Sequence, residues 1–172
     1  MNQSLQQIFS RRSIRAYEQK PVPDSMVQDL LEAGMAAPSA VAKDPWRFVV
    51  VKSKETLARI AEALPNGKML PNAAVGIVVC GDLMEAHDSQ LSYLLQDCSA
   101  AAENILLAAS MLGLGGCWLG IHPREERMLH ARTVLGLPAS VVPVCVLAVG
   151  WPWERKEPRT RYSQAKVHLE RW

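Results

Sequence analysis

The sequence has almost no net charge, no closely spaced cysteines and no uninterrupted apolar run long enough to span a bilayer, and each lack removes a class of function. Its 19 basic residues face 17 acidic ones, a formal charge of +2, too even a balance for a protein that coats nucleic acid or anionic lipid. Cys80, Cys98, Cys117 and Cys145 lie far apart inside apolar runs with no Cys-x-x-Cys spacing. They read as reduced core thiols in a cytosolic protein. The most apolar long stretch, Leu91 to Leu114, is broken by Gln96, Asp97, Glu103 and Asn104. Burying each in hydrocarbon without partners costs on the order of several kcal/mol, so a soluble core helix is expected rather than a membrane span. The opening MNQSLQQIF lacks the positive-then-apolar order of a secretory signal, so the expected location is cytoplasmic.

Recognisable catalytic side chains are also missing. His87, His122, His130 and His168 form no His-x-x-x-His pair, no G-x-S-x-G elbow occurs, and no two carboxylates stand in an acid and base setting. No metal site and no catalytic residue is therefore assigned. Gly113, Gly115 and Gly116 follow a helix instead of a strand, and the dinucleotide spacing fails at Trp118. The GLGGCWLG stretch reads as a helix C-cap leading into a segment whose backbone a flat ligand could approach, with a plain helix end as the simpler alternative. Asn66-Gly67-Lys68 lacks the rest of a phosphate loop.

What is present fits one domain over residues 1–172: 49% of side chains are hydrophobic and 21% charged. Ser4 is expected to cap a short helix with Leu5, Ile8 and Phe9 on one face, and a second helix begins at Asp24 or Ser25 with Val27, Leu30, Leu31 and Met35 on its buried side. Further helices are expected over 54–64, 89–112 and 124–135. The runs at 46–51, 74–80 and 141–150 are β-branched and almost wholly apolar, the pattern of strands in a sheet covered on both faces. After Gly150 the chain holds three tryptophans and six basic residues without periodicity. Such a tail packs along something else.

The densest signal is RRSIRAY at 11–17. Arg11 and Arg15 project to one side whether the segment is helical or extended, joined by Ser13 if it is extended. Two like charges so placed repel until an anion accepts forked hydrogen bonds from both, and a phosphate monoester fits. A solvated basic turn at a helix C-terminus is the alternative. A phosphate clamp with no side chain to do chemistry points to an enzyme whose phosphorylated cofactor does the work.

With APSAVAKDPWRFVVV, QDCSAAAENILLAASMLGLGGCWLG, LGLP before VCVLAVGWP, and PRTRY in the tail, RRSIRAY resembles the nitroreductase family of FMN-dependent flavoproteins in its compact form. The match in type, order and spacing runs through nearly the whole chain. The resemblance implies an α+β fold with a central mixed, mainly antiparallel sheet flanked by helices, in a domain-swapped homodimer whose arm, 151–172, packs on the partner. It implies FMN at the subunit interface, its phosphate held by Arg11, Arg12, Ser13 and Arg161, with Arg15 reaching the pyrimidine edge or ribityl chain. Pro38, Ser39 and Ala40 would line the flavin of the other subunit, Lys68 would approach the pyrimidine carbonyl, and Trp118, Leu119 and Gly120 would bring a backbone amide to flavin N5. The implied reaction takes electrons from NADH or NADPH and passes them, in a ping-pong cycle, to nitro-compounds, quinones or similar small acceptors. A flavin-binding redox or FMN-delivery module without efficient turnover is the alternative. Ala42 and Asp44 stand where the family usually has Asn and Gln, which removes one amide near the cofactor and adds a negative charge.

Overall fold

Apolar runs with β-branched residues become strands, and their order in space fixes where the basic segment must lie. The computed structural model describes residues 2–172. In chain order it contains α1 (Gln6–Ser10), α2 (Asp24–Met35), β1 (Trp46–Val51), α3 (Lys54–Ala61), β2 (Val75–Asp82), α4 (Leu91–Met111), β3 (Gly115–Gly120), α5 (Glu125–Leu135) and β4 (Val141–Gly150). The four strands form one sheet in the order β1-β2-β4-β3. Every ladder is antiparallel, with Phe48 opposite Val79, Val79 opposite Cys145 and Leu119 opposite Val146. A single parallel bridge joins Ser13 to Gly116 on the outer edge of β3. This is the expected α+β architecture.

Both faces of the sheet are covered. Leu147 and Val149 pack on the side of α2 and α4, while Val146 and Ala148 pack with Leu57, Ile60 and Ala131 on the side of α3 and α5. The two-residue period of β4 thus feeds two cores. Each fully buried aliphatic side chain contributes about 1.5–3 kcal/mol relative to exposure. Pro143 would disrupt a regular central strand, because it has no N–H to donate. It sits opposite Cys80, where the β2–β4 register slips by one residue and a bulge tolerates it. Burial pushes the Cys80 and Cys98 thiols up to about 12 and Cys145 well above its ordinary value, which keeps all three protonated.

Three expectations are corrected. Asn2, not Ser4, caps the first turn: its side chain accepts a hydrogen bond from the Ser4 N–H. Met35 is exposed, because α2 approaches α4 through Gly34, where a Cβ would lie 2.9 Å from Ile105. GLGGCWLG opens, as expected, as the C-terminal cap of α4, with Gly113 at φ 74°, but from Gly115 to Gly120 it is a full edge strand paired along β4, a fourth strand beside the three expected. No helix among the described residues is long and apolar enough to cross a membrane, α4 included.

Candidate cofactor site

The arginine segment is extended and fastened at several points. Helix α1 ends at Ser10, and Arg11 takes an extended conformation. Ile14 donates its N–H to the Gly116 carbonyl at 3.0 Å and buries its side chain. The Tyr17 hydroxyl lies 2.6 Å from the Ile14 carbonyl and 3.0 Å from that of Ala148, so one proton is shared between two acceptors and ties the segment to β4. Burial, with Cys117 beside it, raises the Tyr17 pKa far above that of a free phenol. The hydroxyl stays a donor.

The tail returns antiparallel along this segment. Glu18 donates its N–H to the Trp151 carbonyl at 2.9 Å, and Trp153 donates its own to Ala16 at 3.0 Å. The Glu154 carboxylate accepts the N–H groups of Arg15 at 2.6 Å and Ala16 at 3.3 Å. Lys156 donates to the Ser13 carbonyl at 2.7 Å and pairs with Glu154 at 3.1 Å. Arg12 donates to the Glu157 carbonyl, and the Arg159 N–H reaches the Phe9 carbonyl at 3.0 Å. The Arg15 N–H foremost, with Lys156 adding to it, holds the Glu154 carboxyl below its usual range.

This pairing of the two ends encloses a cleft of about 440 Å³ lined by Arg11, Arg12, Ser13, Arg15, Lys156, Arg159 and Arg161. Arg11 is balanced by Glu103 at 3.0 Å and Lys156 by Glu154. Arg12, Arg15, Arg159 and Arg161 have no carboxylate partner among the described residues. Four unbalanced guanidiniums around one hydroxyl form a donor set for a multiply charged oxyanion.

The structure therefore brings together the expected Arg11, Arg12, Ser13, Arg15 and Arg161, and adds Lys156 and Arg159. Trp118, Leu119 and Gly120 lie on β3, the strand to which Ser13 is bridged. Pro38, Ser39, Ala40 and Lys68 lie outside the cleft within one chain. The 38–44 loop has its own internal supports. Ser39 donates its hydroxyl to Asp44 at 2.5 Å, Asp44 returns its N–H to the Ser39 oxygen at 2.9 Å, and Ala40 donates its N–H to buried Asp97 at 2.9 Å. Val41, Ala42 and Asp44 all have left-handed backbone, with φ of 54°, 52° and 51°. That region is unfavourable for residues other than Gly and Asn, most of all for a β-branched one.

The family model described as the nitroreductase family matches residues 8–67 and 63–151. The chain belongs to the nitroreductase family. It is 43% identical over 175 residues, covering all of both chains, to an Archaeoglobus fulgidus protein provisionally named NADH dehydrogenase/NAD(P)H nitroreductase. Among solved structures, a Bacteroides thetaiotaomicron protein of the same provisional name superposes with a TM-score of 0.93 at 41% identity, over 100% of this chain and 99% of that one. A Desulfovibrio desulfuricans nitroreductase, solved in complex with FMN, superposes at 0.84 with 33% identity, over 99% and 98%. In this nitroreductase-family chain, the basic cleft and the β3 edge are therefore the natural places to look for a cofactor.

Proposed function

We propose that the protein is an FMN-dependent NAD(P)H oxidoreductase acting on nitro-compounds, quinones or similar small acceptors. The observation that carries this reading is the unbalanced charge of Arg12, Arg15, Arg159 and Arg161 in one cleft. A phosphate monoester dianion supplies the missing counter-charge and accepts several charge-assisted hydrogen bonds at once. The FMN complex of the Desulfovibrio relative supports flavin mononucleotide as the phosphate's owner. When bound, FMN supplies two-electron chemistry, taking a hydride from NAD(P)H and releasing electrons to an acceptor that follows in the same place, the ping-pong order.

The chain's own residues bind and orient. Arg11, Arg12, Ser13, Arg159 and Arg161 hold the phosphate. Arg15 and Lys68 offer positive charge to the pyrimidine side, and the Gly120 amide offers a donor on the β3 edge. Lys156 shapes the clamp from behind, since its ammonium is engaged by Glu154 and Ser13. No protein acid or base is required.

The functional unit in this reading is a domain-swapped homodimer. Within one chain Pro38–Ala40 and Lys68 stand apart from the cleft, and a second copy brings its own set. Beyond the paired ends, the tail leaves Tyr162, Leu169 and Trp172 exposed, apolar surface that a second copy covers. The 151–172 arm thus has two parts, one packed on its own chain to about residue 159 and one for the partner.

A visible spectrum tests the reading directly. Purified protein should carry, or acquire from added FMN, a yellow flavin absorbance. Protein that stays colourless after incubation with FMN would overturn it. Anaerobic bleaching by NADH or NADPH, with colour restored by a nitroarene or quinone, separates an oxidoreductase from a flavin carrier without turnover.

A further inference from the structure

The outer edge of β3 ends beside a positive charge that no carboxylate among the described residues balances. Gly116 gives its carbonyl to Ile14 across the outer edge, so it points away from β4. By the strand's two-residue period Trp118 and Gly120 point outward as well. Ile121 turns back, its N–H reaching the Val144 carbonyl at 3.1 Å. Among the described residues, no intrachain partner takes the outward Gly120 N–H. A Cβ built on Gly120 meets nothing within 4 Å, so packing inside the chain does not demand a glycine there.

The Gly120 carbonyl, in contrast, is occupied. Arg127, in the first turns of α5, donates from Nη1 to it at 3.1 Å. The Arg127 Nε is buried without a hydrogen-bond partner, and no carboxylate pairs with this guanidinium among the described residues. A half-buried cation bonded to a neutral carbonyl is costly unless a negative charge arrives nearby.

We propose that Arg127 is a positioning residue that fixes the Gly120 end of β3 and supplies standing positive charge to the reduced flavin at that edge. The inference rests on the FMN reading above. Transfer of a hydride, two electrons and one proton, from NAD(P)H leaves NAD(P)⁺ and adds one negative charge to the flavin. A guanidinium already held by the scaffold favours that added charge without reorganising as it develops. Its donor bond to Gly120 keeps the outward amide aimed at the same place.

The test uses the FMN-loaded protein. Arg127→Gln should keep FMN with at most a twofold change in Kd, since the phosphate cleft is untouched. Its oxidised–reduced equilibrium against a reference dye should shift about tenfold toward oxidised flavin, about 30 mV for a two-electron couple. Anaerobic reduction by NADH should slow about tenfold, and Arg127→Lys should recover most of both. A Gln variant that holds FMN with unchanged potential and reduction rate would overturn the proposal. If that variant does not fold, the wild-type protein decides: the Arg127 Nε–H, shielded from water, should give a nitrogen-15 NMR signal that moves when bound flavin is reduced. A signal identical in the two states would overturn it equally. Wild-type protein that takes up no FMN would instead refute the FMN reading itself.

Discussion

Lys156 donates to the Ser13 carbonyl while its ammonium pairs with Glu154, whose carboxylate in turn accepts the Arg15 N–H. One tail cation and one tail anion therefore hold the backbone of the segment that carries Arg11, Arg12 and Arg15 into the cleft. Both ends of the chain make one clamp.

Glu154 should make that clamp acid-sensitive. Its folded pKa lies below the ordinary value of 4.5. It therefore stabilises the fold fully above 4.5 and loses this contribution as pH falls through the folded value. Thermal melts of wild type and Glu154→Gln should differ by a constant amount at neutral pH and converge in the acid range. A difference that grows on acidification would contradict the assignment.

Arg159→Ala and Arg161→Ala should each weaken FMN binding by roughly 10- to 150-fold, the equivalent of about 1.5–3 kcal/mol for hydrogen bonds to a charged group. Fluorescence titration of apoprotein with FMN reads this directly, and riboflavin, which lacks the phosphate, should bind all three proteins alike. A loss for riboflavin matching that for FMN would remove these arginines from the phosphate.

Gly115→Ala should loosen the arginine segment while leaving the sheet in place. Its Cβ would fall 2.7 Å from that of Ile14, the residue whose N–H bridges to Gly116. Overpacking of this kind costs about 1–3 kcal/mol. Denaturant unfolding should show that loss, and FMN affinity should fall with it; unchanged affinity would show that the Ile14 contact does not set the cleft.

Val41→Gly should stabilise the isolated fold by about 0.5–1 kcal/mol. Left-handed backbone costs a residue with a Cβ about 1–2 kcal/mol, partly offset by the extra freedom glycine has when unfolded. Val41 is exposed within the chain, so little packing is lost. Activity should fall even as stability rises if the 38–44 loop contacts the flavin of the other subunit.

The sequence disclosed what is local and dense. Runs such as Val75–Asp82 and Val141–Gly150 declared their strands through dense β-branched and largely apolar character, and Arg11 to Arg15 declared a basic cluster that the fold gathers into one cleft. Strand β3 was hidden because Gly115, Gly116 and Gly120 make half of it, and its pairing is imposed by β4 from outside. Lys156 and Arg159 looked like scattered tail charges, since their place depends on pairing between ends such as Arg12 with Glu157, 145 positions apart. Arg127 gave no signal at all. It belongs to a charged helix start, and only the fold shows that Gly120 lies within its reach.

The pairing of the arginine segment and the tail also sets when the proposed phosphate site is first complete during synthesis. The N-terminal arginines leave the ribosome early, but they face Lys156, Arg159 and Arg161 only after the last strand and much of the tail have emerged. Nascent chains halted at residue 150 should hold no phosphate ligand, however well their sheet has formed.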